Sequence, residues 1–241
     1  VIYIDLQVMA RTQKTEYLNI EEVSDIWKML TPEQMDYLKS NYLVQNYKKN
    51  EVIYCEGETP THVFCVIKGK VKIYKSGVGG RNQIVRMVKP FEMLAYRAMF
   101  AGEDFVTAAC AFEPTLIYAI PKEVIEKLIF DNKNLAWYFI QALATDLGIA
   151  DSRAVSLTQK HIRGRLAESL LFLKDSYGVE ADGATISIYL SREDLASLSN
   201  MTTSNAIRTL STFVTEKIIT MDGRKIKLID EERLRKISKI G

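Results

Sequence analysis

Residues 190–228 read LSREDLASLSNMTTSNAIRTLSTFVTEKIITMDGRKIKL, two short helical patterns around a tight turn followed by a hairpin. Ser191 stands where an N-cap belongs and Asp194 lies three residues on. A hydroxyl and a carboxylate there satisfy the free amides that open a helix over 192–199. Leu195, Ala196 and Leu198 give that helix an apolar side. Asn200 suits the left-handed residue of a sharp turn, and Thr202 caps a second helix running to about residue 216. In that helix Ala206, Leu210, Phe213 and Val214 share one face, and Thr203, Ser204, Ile207, Arg208 and Ser211 share the other. Asp222-Gly223 between the runs 218–221 and 224–228 marks a β-hairpin whose second strand is basic, with Arg224, Lys225 and Lys227. Two helices, a turn and a hairpin in this order are the layout of a winged helix-turn-helix.

Short donors and acceptors around one guanidinium suit a major groove, where Arg binds guanine bidentately and hydroxyls or Asn reach base edges and phosphates. The expected partner is therefore double-stranded DNA. With 32 basic and 30 acidic residues the net charge is only +2, so that contact must rest on local clustering. Residues 217–241 supply it, with eight Lys and Arg against four Asp and Glu.

The 241 residues, 47% of them hydrophobic, fit two ordinary domains, each with its own core. Cys55, Cys65 and Cys110 are far apart, in apolar or strand-like surroundings, and read as buried structural thiols of a reducing cytoplasm. With two histidines and no CxxC pair, no metal site is expected. No apolar run reaches the length of a membrane span and no secretory leader is recognisable, so a cytoplasmic protein away from membranes is expected. Met9, ahead of a polar stretch, is a candidate start, with residues 1–8 an extension.

Thr31-Pro32-Glu33-Gln34 is a helix start with a capping box. From 44 to 120 seven short β-rich runs recur: 44–47, 52–54, 63–68, 70–75, 83–88, 105–112 and 115–120. Gly57, Gly69, Gly77, Gly79, Gly80 and Pro114 punctuate them, implying an antiparallel barrel or jelly roll. Beyond Pro121 come a short helix over 122–130 and a long one over about 134–156. Ile140, Leu143, Leu147, Ala150, Ala154 and Leu157 lie at heptad spacing and read as the seam of a homodimer. Two features oppose that reading. Gly148 costs a helix about 1 kcal/mol relative to Ala, and Asp146 and Asp151 would flank the seam with like charges. A polar hinge over 158–163 precedes a helix over 166–173. The expected divisions are an extension over 1–18, a barrel over 19–133, a dimerisation helix over 134–158 and a DNA-binding head over 159–241.

This order of elements resembles the cyclic-AMP receptor protein and Fnr family of bacterial transcription regulators. The resemblance rests on residues 52–58, on 63–75 with Gly69 between strands, on 164–171, and on 190–210. It implies an α+β fold with an N-terminal cyclic-nucleotide-binding-like jelly roll, a long dimerisation helix and a C-terminal winged helix-turn-helix. It also implies a non-enzymatic homodimeric regulator that binds a two-fold symmetric DNA site. Ser191 and Arg192 would meet phosphates, while Thr202, Thr203, Ser204 and Arg208 would form the recognition surface. Asn205 would add an adenine contact or serve as a surface helix residue. Well-known members carry an Arg-Glu pair where this chain has Thr203-Ser204, so a different operator is expected.

The effector site departs further. Phe105-Val106 stands where cyclic-nucleotide binders carry an arginine pair for the phosphate, and Ala150-Asp151 replaces their base-reading hydroxyls. Cyclic AMP is therefore not the expected effector. Arg86, Tyr96, Arg97, Phe105 and Thr107 are the candidate pocket residues, with ion pairing the alternative role of the two arginines. His62 and His161 are isolated and no N-terminal cysteine cluster exists, so neither haem nor iron-sulfur is expected, and no cofactor. An activator would also contact RNA polymerase, for which loops such as 77–82 offer a surface. Two other readings compete with this one. One is a ligand-binding or protein-interaction module whose winged helix has lost DNA binding. The other, a cupin-like metalloenzyme, would need clustered histidines where the barrel has only His62.

Overall fold

The computed structural model describes Ile20, residues 25–77 and residues 80–240. The extension over 1–18 and the start at Met9 lie outside them, as do Val78 and Gly79 of the loop considered for polymerase.

Thr31 caps α1 (Pro32–Lys39) with the expected reciprocal pair: Gln34 donates its backbone N–H to the Thr31 hydroxyl, and the Thr31 N–H donates to the Gln34 side chain. Eight strands follow, β1 (Leu43–Tyr47), β2 (Val52–Tyr54), β3 (His62–Lys68), β4 (Val71–Ser76), β5 (Asn82–Val88), β6 (Met93–Leu94), β7 (Ala108–Ala111) and β8 (Thr115–Pro121). They form two antiparallel four-stranded sheets, ordered β1-β8-β3-β6 and β2-β7-β4-β5.

Alternation along β3 explains why nearly all of it is buried. Phe64 and Val66 point between the sheets with Val71, Ala109, Ile117 and Ala119. Val63, Cys65 and Ile67 point outward under Trp27, Leu38, Ile125, Leu128 and Leu135, so helices cover the second face. Gly69 turns β3 into β4 at φ +86°, and a Cβ there would lie 2.5 Å from the Pro114 carbonyl oxygen. Gly69→Ala is expected to cost at least about 2 kcal/mol, combining left-handed strain with overlap against rigid backbone. A thermal melt of the barrel reads it, and an unchanged midpoint would contradict the close approach.

Sequence reasoning missed β6 and the short helix α2 (Tyr96–Ala101), and the strand expected over 105–112 is only Ala108–Ala111. Cys55 corrects the expectation of three buried thiols. The chain leaves the sheet after β2 in a turn where the Cys55 N–H donates to the Glu58 carboxylate at 2.9 Å, leaving Cys55 exposed while Cys65 and Cys110 are buried.

After α3 (Lys122–Asp131), Asn132 caps α4, which runs unbroken from Lys133 to Gln159, and α5 (Ile162–Tyr177) opens the head. Arg165 stitches the junction. Its guanidinium donates to the carbonyls of Leu157 and Lys160 at the end of α4 and of Ser199 and Asn200 in the head, all at 3.1–3.3 Å. The head continues with α6 (Arg192–Leu198), α7 (Thr203–Thr215), the hairpin β9 (Ile219–Asp222) and β10 (Lys225–Leu228), and α8 (Glu231–Ile240). Leu166, Leu170, Leu195, Leu210, Phe213, Ile218, Ile226 and Leu234 fill its core. No helix among the described residues is long and apolar enough to cross a membrane.

Candidate functional site

Both helices of the helix-turn-helix are held by their caps. The Asp194 N–H donates to the Ser191 hydroxyl at 3.0 Å, which in turn donates to the Asp194 carboxylate at 2.7 Å. Asn200 turns the chain at φ 50°, and the Asn205 N–H donates to the Thr202 hydroxyl at 3.2 Å. Ala206, Leu210 and Phe213 are buried, so α7 presents Thr203, Ser204, Ile207, Arg208 and Ser211 to solvent, with Asn205 at the edge. The Ser211 hydroxyl is turned back onto the Ile207 carbonyl at 3.0 Å. The Arg208 carbonyl accepts the Thr212 hydroxyl at 3.1 Å, while its guanidinium has no hydrogen-bond or ion-pair partner among the described residues.

Arg192 is placed differently from the phosphate contact expected of it. It donates to the Gly223 carbonyl at 2.8 Å, and its buried Nη1 has no partner, so in this state it fastens α6 to the wing. The two-residue loop of the wing is Gly223-Arg224, one residue later than the expected turn, with Arg224 exposed.

The head docks on the barrel. Ser197 donates its hydroxyl to the Asn82 carbonyl at 2.5 Å and accepts the Ile84 N–H at 2.8 Å, while Lys72 pairs with Asp194 at 3.1 Å. Beside these contacts a polar groove of about 510 Å³ places Ser191, Thr203 and Arg224 opposite Lys49, Lys72 and Arg81 of the barrel.

All five candidate pocket residues line one second cavity, of about 720 Å³. Phe105 is buried and stacks on Tyr54 with ring centroids 3.9 Å apart. Burial pushes the Tyr54 phenol up to about 12, against the opposing pulls of a hydrogen bond from Thr107 and the charges of Arg86 and Arg97. Arg86 lines the cavity and makes the ion pair that was its alternative role, donating Nη1 to Asp146 of α4 at 2.7 Å. Tyr96 donates its hydroxyl to the same carboxylate oxygen at 2.5 Å, and burial pushes that phenol up to about 12, keeping the proton in place. Arg97, at the rim, pairs with Glu103 at 3.1 Å.

Sequence reasoning missed the contributions of the helices, namely Asp146 and Arg153 from α4 and Phe172 and Tyr177 from α5. The available signal was a polar row at helical spacing, Gln141, Thr145 and Asp146 followed by Arg153, on a helix read for its apolar seam and, toward the effector, only at Ala150-Asp151. Asp146, expected beside the seam, faces the barrel. Arg153 donates Nη1 to the Val85 carbonyl and lies 5.4 Å from the Phe172 ring. Burial draws the Arg153 pKa down, the Arg86 charge adding to the effect and Glu168 opposing it.

Of the residues expected to form a seam along α4, Ile140, Leu147, Ala150 and Ala154 are exposed, whereas Leu143 and Leu157 are half-buried. Trp137 and Val155 extend the exposed apolar stripe. The sensory-type barrel, the connecting helix and a cap-locked helix-turn-helix head together define a two-domain transcription regulator.

Residues 44–132 match the cyclic nucleotide-binding domain family, and residues 164–237 match the Crp-like helix-turn-helix domain family. The chain is 21% identical over 210 residues to the CRP-like cAMP-activated global transcriptional regulator of Mycobacterium tuberculosis, spanning 87% of this chain and 94% of that protein. It is 25% identical over 187 residues to the global nitrogen regulator of Nostoc, spanning 76% and 84%. FixK2 from Bradyrhizobium japonicum superposes with a TM-score of 0.74 at 26% identity, covering 81% of this chain and 96% of that one. The chain belongs to the Crp/Fnr family of transcription regulators, which are not enzymes.

Proposed function

We propose that the chain works as a cytoplasmic homodimer that reads a two-fold symmetric operator and whose barrel senses a small molecule other than cyclic AMP. The observation that carries the reading is Arg208, an unpartnered guanidinium on the exposed face of a helix locked at its start by Thr202. A groove-reading helix needs such a group, and a helix that had lost DNA binding would not. Pairing through the stripe of Ile140, Leu147 and Val155 would cover apolar surface that one chain leaves in water, and would double the reading head. Against cyclic AMP stand Phe105-Val106 in place of a phosphate-binding arginine pair and the Asp146 carboxylate facing the cavity. RNA polymerase would be a further partner if the protein activates.

Selection of bound sequences from a random duplex pool tests the reading. An enriched palindrome is expected, and a pool that stays random with purified dimer would overturn it. On the selected site, Arg208→Ala should cost about 1–3 kcal/mol of discrimination against the mismatched base. Unchanged discrimination in a competition gel shift would remove Arg208 from base reading.

A further inference from the structure

The 720 Å³ cavity lies within the range of small-molecule sites, and its inner walls are apolar, with Tyr54, Ile73, Leu94 and Phe105. Its charges do not balance. Lys89 and Glu92 offset each other at 4.0 Å, and Arg97 is taken by Glu103. Arg86 and Arg153 remain, with Asp146 the one carboxylate left to face them. Arg153 has no carboxylate within ion-pairing distance among the described residues, and Glu168 is engaged by Ser156 and Lys160 at 3.1 Å. Arg86 meets Asp146 and Tyr96 through Nη1 alone, so Nη2 and Nε, the geometry of a bidentate anion contact, are not committed to protein partners among the described residues.

We propose that this cavity binds an amphipathic organic anion, its carboxylate or phosphate seated between Arg86 and Arg153 and its apolar body against Tyr54, Leu94 and Phe105. The proposal rests on the reading of the barrel as a sensor and names the ligand class. Asp146 holds Arg86 through Nη1, leaving an incoming anion Nη2 and Nε, so the ligand shares Arg86 with the α4 carboxylate and weakens that pair. Phe172 and Tyr177 of the head line the same space, so one ligand touches barrel, connecting helix and head together. Differential contact with these three bodies is what lets a ligand shift head orientation.

The test uses 1-anilinonaphthalene-8-sulfonate, an apolar aromatic anion, titrated into the full chain without DNA. Octanoate, 1-octanol and cyclic AMP then compete for the bound probe. Saturable fluorescence is expected, displaced by octanoate at a concentration at least about ten-fold lower than by 1-octanol. Arg86→Met, checked for folding by thermal melt, should weaken probe binding about ten-fold or more. Absence of saturable binding overturns the proposal, as does equal competition by alcohol and carboxylate, which would mean an apolar pocket without an anion seat. Preferential displacement by cyclic AMP overturns it in favour of a nucleotide site. The octanoate comparison needs no variant, so it decides even if Arg86→Met unfolds. Failure here with an enriched palindrome from the duplex pool leaves the DNA reading intact; success here with a random pool leaves a ligand-binding protein.

Discussion

Leu147→Glu is expected to leave each chain folded but separate, and to weaken operator binding by on the order of a hundred-fold or more, since like charges forced together at an interface cost several kcal/mol. Leu147 is 62% exposed among the described residues, so the substitution touches none of their core. In a two-fold pair its counterpart would lie near the axis with Ile140 and Val155, and two carboxylates would meet in a closing apolar seam. Light scattering reads the result directly: the variant should run at the 27.5 kDa of one chain and the parent at twice that. A variant that remains dimeric would move the seam off this stripe of α4.

Phe213→Ala is expected to unfold the head while the barrel stays folded. The ring is wholly buried at the centre of the head's core, and the Arg163 guanidinium lies 5.0 Å from it while forming a two-pronged pair with Glu216. Removing such a ring costs about 3–5 kcal/mol, a large share of the roughly 5–15 kcal/mol that holds a typical domain together. Calorimetry should show the head's transition lowered or lost and the barrel's retained, with DNA binding abolished. Phe213→Leu, which keeps most of the volume, should cost less than about 1.5 kcal/mol and restore binding. An unaltered head transition in the alanine variant would contradict the packing.

The head was legible because local chemistry fixes it. Ser191, Asn200, Thr202 and Gly223 each satisfy a cap or a left-handed turn that their own neighbours define, and the four-then-three spacing of Ala206, Leu210 and Phe213 admits one inward face. Glycine turns made the barrel's strands legible for the same reason. The cavity was legible only on its barrel side. Residues 133–159 have two apolar faces, one on the barrel and one exposed, and spacing alone does not say which side Leu143 or Asp146 will take. That depends on where α3 delivers the chain, which is a tertiary fact. Similarly Ile162 begins α5 four residues ahead of the expected 166, in a polar stretch with no side-chain cap to mark the start, where the Arg165 N–H donates to the His161 carbonyl at 3.1 Å. The strand end at Tyr54 was read correctly, but Cys55 was misplaced because its apolar neighbours suggested burial where a carboxylate-closed turn holds it at the surface.

The unbroken course of α4 makes it a shaft. Asp146, at the cavity, and Ser156, which donates to Glu168 of the head at 3.1 Å, are fixed to one rigid rod. Each residue along such a rod advances about 1.5 Å and turns about 100°. The angular setting of the head against the ligand is thus written as a number of residues, not as a particular side chain. Deleting a single one between those two points would shorten the rod trivially yet swing the reading helix by more than a quarter of a revolution away from the cavity's bearing.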